Sequence, residues 1–211
     1  VVCPNGCPGP YGAIKFTGKC VTPATPISPL TFSGGSITCS ANSRLSPGGD
    51  GNAQSLTVKG SLIFTNTTTL FMDLQGAAAG SFDQILVNRG AHNFNSTITL
   101  GAATLTSSGI FGYSVPDSIK IINAGLPGVT LDATQFASGN TVTIEGQKFT
   151  ITYDTLASQD VTLTRAPSII TWDGVLGVGL NSGNDFWNNP FNWVGDVLIP
   201  HNGDIVHFAG T

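Results

Sequence analysis

The chain has 211 residues, of which 8 are Lys or Arg and 12 are Asp or Glu, so its net charge is −4 and charged residues make up only 9%. The basic residues stand singly, which excludes the clustered positive surface that nucleic acid requires, and no apolar run reaches the ~18 residues of a membrane-spanning helix. Hydrophobic residues at 40% still argue for a folded chain, and this length can bury a core without metal or cofactor.

Residues 1–30 hold six of the twelve prolines (Pro4, Pro8, Pro10, Pro23, Pro26 and Pro29). Proline fixes φ and removes a donor, so this stretch is expected to be an extended arm rather than a helix or a central strand. Two roles fit it: a cap over the first open edge of a β stack, or an arm that adds a strand to a neighbouring subunit. All four cysteines, Cys3, Cys7, Cys20 and Cys39, lie at this end. Their confinement reads as disulfide stapling in an oxidising compartment, with three pairings open. A zinc site is the rival reading, but the spacing is wide and irregular and no His is near. A first residue of Val fits a removed signal peptide or a fragment, and the expected location is secreted, extracellular or cell-surface.

Residues 31–44 predict the first strand pair, with Ile37 and Cys39 on one face. Leu45–Asn52 is a turn cluster, and Asp50 and Asn52 between glycines read as an Asx-type turn, since a calcium loop needs more oxygen ligands. From there to Leu105 come short runs in which apolar and polar side chains alternate. Leu56 and Val58 stand against Thr57 and Lys59, and Ile98 and Leu100 against Thr97 and Thr99. Alternation of this kind marks strands with one buried face, and no stripe of period 3.6 competes with it.

The run Leu45-Ser46-Pro47-Gly48, followed by Ser55-Leu56-Thr57-Val58-Lys59-Gly60-Ser61-Leu62, resembles the passenger repeats of autotransporter-associated β-strand proteins. Thr69–Leu74 and Phe82-Asp83-Gln84-Ile85-Leu86-Val87 are similar to the segments that come next in that family, with Phe82 where Tyr is usual. The resemblance implies a right-handed parallel β-solenoid in a large bacterial surface or secreted protein. It implies a structural or adhesive role and no catalytic residues.

Residues 106–130 are looser, with a strong strand at 118–123. Residues 141–165 predict an antiparallel hairpin turning at Glu145-Gly146-Gln147, then a return strand that blunts the end of the stack. After Pro167 a second module follows, with all three tryptophans. Its Thr171-Trp172-Asp173-Gly174 and Trp187-Asn188-Asn189-Pro190-Phe191-Asn192-Trp193 resemble repeat openings in the same class of surface proteins. Trp172, Trp187, Phe191 and Trp193 fit either the small core of this module or a platform on which a sugar stacks.

Other constellations are weaker. His201, Asp204 and His207 sit close in sequence, but a turn and a strand do not present all three to one metal ion. Asp73 and Asp83 fall on neighbouring strands, yet no long loops wall a cleft for glycoside chemistry. Nucleophile-elbow and phosphate-loop motifs are missing. Asn66-Thr67-Thr68 and Asn95-Ser96-Thr97 match the N-glycosylation pattern, which a Thr- and Asn-rich chain also produces by chance.

The expectation is therefore an all-β protein: an arm at 1–30, a parallel β-solenoid with a closing hairpin at 31–166, and a Trp-rich β module at 167–211. It is expected not to be an enzyme and to hold no cofactor or metal. Its expected role is that of a structural subunit of an extracellular bacterial filament, sheath or surface layer. Its partners would then be copies of itself joined head to tail through β edges. An adhesin or carbohydrate-binding module that takes cell-surface polysaccharide is the alternative.

Overall fold

The computed structural model describes residues 14–21, 30–33, 36–89, 95–108, 116–124, 127–172, 193 and 199–208. These residues form an all-β structure with no helix. With strands numbered in chain order, one seven-stranded sheet contains β1 (Ile14–Val21), β3 (Ile37–Ser46), β5 (Leu62–Phe64), β6 (Thr69–Asp73), β8 (Ser96–Thr99), β9 (Thr104–Ser108) and β11 (Val129–Leu131). The other contains β2 (Leu30–Ser33), β4 (Ser55–Lys59), β7 (Gln84–Asn88), β10 (Ser118–Asn123), β12 (Thr141–Ile144), β13 (Gln147–Tyr153) and β14 (Val161–Arg165). A third, two-stranded sheet pairs β15 (Ile169–Trp172) with β16 (Ile205–Phe208).

From β2 to β11 the chain passes repeatedly between the two large sheets, and each pass lays a strand parallel on an earlier one. Parallel neighbours cannot be joined by a tight turn and need a crossover. Here each crossover contains at least one strand of the other sheet. The pairing aligns like with like: Ile37, Leu62, Ile98 and Leu131 form one column, and Leu56, Ile85 and Ile122 another. Leu45, Leu70 and Leu105 form a third. All of these side chains are buried in one continuous core. Burying each one contributes about 1.5–3 kcal/mol, and the two-residue pleat keeps the apolar set inside on every pass.

The corners of this path are tight. Gly101 has φ +52°, and a Cβ placed there would lie 2.2 Å from the Phe64 carbonyl oxygen on the layer below. Gly101→Ala is therefore expected to destabilise by about 2 kcal/mol or more, combining a left-handed backbone with a backbone clash. Chemical denaturation of the variant against the parent chain checks this.

At the far end of the stack the chain turns back on itself. Glu145 and Gly146, both at positive φ, turn β12 into β13, the pattern of a type I′ hairpin. β14 then returns antiparallel to both β13 and β10. Gln159 offers its side-chain oxygen to the Leu131 N–H at 2.7 Å, which satisfies a donor on the edge of β11. Phe136, buried, packs against Tyr153, whose hydroxyl donates to the Gly139 carbonyl at 2.7 Å. An edge covered in this way offers no template for further pairing.

Within the N-terminal arm, residues 14–21 form a strand parallel to β3. The prolines lie outside this segment, Pro10 before it and Pro23 after it, so nothing within it removes a ladder donor. β2 and β3, consecutive in the chain, do not pair with each other, because they belong to different sheets. Cys39 is buried in the core and Cys20 lies on β1, whereas Cys3 and Cys7 lie outside the described residues.

Candidate functional site

Two acidic residues that the sequence places on neighbouring strands do meet. Asp73 ends β6, and Asp83 precedes β7 across a short excursion that begins and ends at the antiparallel bridge Leu74–Phe82. Both are 0% exposed. The Asp73 N–H donates to Asp83 Oδ2 at 2.9 Å, and the Asp83 N–H donates to the Asp73 carbonyl at 2.8 Å. Their carboxylates then reach to the turn that precedes β4. Asp73 Oδ2 accepts from the Gly51 and Asn52 N–H groups at 2.9 and 3.1 Å, and Asp83 Oδ1 accepts from the Gln54 N–H at 2.7 Å. The Ser108 hydroxyl donates to Asp73 Oδ1. The turn itself is compact: a Cβ at Gly48 would lie 1.7 Å from the Asn52 carbonyl oxygen.

Burial pushes the Asp83 carboxyl up to about 7, against the pull of N–H donors on Asp73, Gln54 and Gly48; the neighbouring Asp73 charge adds to the rise. Both carboxylates are buried and held by backbone donors, so the pair clamps the turn before β4 to the excursion before β7. Arg44 completes the surroundings of the turn from outside, bonded to Asp50 at 2.7 Å and stacked over Phe71 at 3.6 Å.

The second constellation joins the C-terminal module to the stack. Arg165 ends β14 with its side chain 1% exposed, and its guanidinium meets Asp204 Oδ1 at 2.6 Å, where the Asp204 side chain is 0% exposed. Asp204 also accepts from the Ser168 and His201 N–H groups at 2.9 and 3.0 Å. Arg165 donates further to the Ala166 carbonyl and the Ser168 hydroxyl. A buried charge pair holds only with such extra hydrogen bonds. Asp204 is thus engaged by an arginine that sequence reasoning passed over. One signal was available: in Val161-Thr-Leu-Thr-Arg165 the arginine has the inward parity of Val161 and Leu163.

Within the module Trp193 is 0% exposed and meets Trp172 edge-on, with ring centroids 5.0 Å apart. A buried indole presents no face to a sugar ring. Trp172 is half-buried and also packs near Phe208, at 6.5 Å; Trp187 and Phe191 lie outside the described residues. His201 Nδ1 is 3.9 Å from Asp204 Oδ2, while His207 stands on β16. Ile169 and Ile205, side by side across β15 and β16, are 72% and 54% exposed.

An open groove of about 510 Å³ lies beside β10, lined among others by Lys120, Asn123, Ser158, Gln159 and Asp160. Several of its polar groups already serve the fold. Lys120 pairs with Asp160 at 2.6 Å, Asp160 accepts from the Ala124 N–H, and Gln159 holds β11. Comparison with protein-family models, with curated proteins and with solved structures finds no match to this chain.

Proposed function

We propose that the two coiled sheets are a parallel β-solenoid and that the chain is a structural subunit of an extracellular bacterial filament, sheath or surface layer. The reading is carried by the parallel columns, in which equivalent side chains stack pass upon pass, from Ile37 to Leu62, Ile98 and Leu131. A stack of this kind builds a long, stiff body out of backbone hydrogen bonds and needs no side-chain chemistry. Its acidic groups with the deepest burial, Asp73, Asp83, Asp160 and Asp204, are spent on backbone and cation contacts. The resemblance of the Leu45–Val87 region to autotransporter-associated β-strand repeats supports the same role and a secreted or cell-surface location.

Assembly is head to tail. A heterologous contact of that type does not close on itself and yields open polymers. Electron microscopy and light scattering of the whole chain test the reading. Fibres or sheets whose mass grows with protein concentration are expected. A monodisperse monomer at every concentration that also binds a cell-surface polysaccharide overturns it in favour of an adhesive module.

A further inference from the structure

β15 and β16 resume the pairing rule of the stack after the hairpin. Ile169 pairs in parallel with Ile205, and Leu62 of β5 pairs in parallel with Ile98 of β8, so both pairs join positions 36 apart. In a parallel strand the N–H and C=O of one residue point to the same side, and the side alternates along the chain. The Ile205 N–H donates to the Ser168 carbonyl at 2.9 Å, so residues 205 and 207 of β16 face β15. The peptide groups of Val206 point the other way. Among the described residues β16 has β15 as its single strand neighbour.

We infer that this outer edge of β16 is the joint between subunits, and that its occupant is strand β1 of a second copy of this chain, added in parallel. The inference rests on the structural-subunit reading above and names the contact. Three observations select the occupant. β1 is the front strand of its sheet, parallel to β3, and among the described residues β3 is its single strand neighbour. Continuation of β16 by β1 therefore keeps the parallel sense found in both coiled sheets. β1 has eight residues and spans the four of β16 in full. At the rear of the coiled sheets Gln159 caps β11 and β12 folds back on β13, and β16 is a further edge beyond them in the parallel sense. A further strand adds backbone hydrogen bonds to a sheet with two strands among the described residues, and the exposed Ile205 adds apolar surface beside the edge.

Two substitutions separate this joint from the fold. Val206→Pro removes one outward-facing N–H and leaves the bonds to β15 untouched, a placement that edge strands tolerate. Ile205→Lys puts a charge beside the edge at an exposed position. Sedimentation velocity of each full-length variant is expected to show at least a tenfold loss of association, with tryptophan fluorescence unchanged. A synthetic peptide of residues 14–21 is expected to shorten the parent polymers, whereas a scrambled peptide is not. Undiminished assembly of both variants overturns the joint and leaves the subunit reading standing. Loss of assembly in the variants with no effect of the peptide overturns β1 as the occupant. A parent chain that never associates overturns the subunit reading and the joint together.

Discussion

Asp83→Ala is expected to lower stability by about 3 kcal/mol or more, because it leaves several buried N–H donors without an acceptor at about 1–3 kcal/mol each. Those donors belong to Asp73 and Gln54, on separate segments of the chain, with Gly48 as a third. The loss therefore loosens the turn before β4 and the excursion before β7 together. Asp83→Asn keeps the shape but places an NH₂ opposite one N–H, so a smaller loss of about 1–2 kcal/mol is expected.

The two variants also separate the pH dependence. The Asp83 carboxyl, pushed up to about 7 in the fold by burial, returns to the ordinary carboxylate value near 3.8 when the chain unfolds. The folded chain thus holds a proton that the unfolded chain releases across this window. The associated stability is complete below the unfolded value and is lost as pH rises towards 7. The thermal midpoint of the parent chain, measured relative to Asp83→Asn, is expected to fall between about pH 4 and 7 and to level off above that. A difference that stays flat, or that rises, refutes the raised carboxyl.

Asp204→Ala is expected to cost about 3–5 kcal/mol in the attachment of the C-terminal module, since it strands the buried Arg165 guanidinium. It also removes the acceptor for the Ser168 and His201 N–H groups, which set the start of β15 and the turn before β16. The effect is local. The Trp172–Trp193 contact lies in the affected module, so the tryptophan signal is expected to unfold in a separate, earlier transition. The far-ultraviolet transition of the coiled sheets should stay in place, because their hydrophobic core does not include Ile170 or Trp193 of the module. The double replacement Arg165→Met with Asp204→Leu is expected to recover much of the loss, as apolar side chains of similar volume need no counter-charge. One cooperative transition for all probes in Asp204→Ala would show that the module and the stack unfold as a unit.

Much of the layered architecture was legible in the alternation of side chains. The runs from Leu56 to Leu105 became strands with Leu56, Val58, Ile98 and Leu100 inside and Lys59 and Thr97 outside. The hairpin at β12–β13 and the return strand β14 also followed from alternation and the Glu145-Gly146 turn. The strand at β1 did not, because the density of prolines around it outweighed the proline-free segment Ile14–Val21 between them. The adjacency of Asp73 and Asp83 was visible as a spacing, but their role was not, since nothing in the letters says whether a carboxylate meets a substrate or a ring of backbone donors.

An all-β, nearly uncharged chain whose strands each have one apolar face follows from composition and alternation, since a period of two comes directly from the pleat. Which strands lie against which became visible in three dimensions, and with that the parallel columns, the clamp at Asp73 and Asp83, the Arg165–Asp204 bond and the edge at β16. The physical reason is that alternation constrains a residue's face but not its partner. Partners in a parallel stack are set by positions some 25 to 37 residues apart, such as Ile37 with Leu62 and Ile85 with Ile122, whose meeting depends on the length of every corner between them.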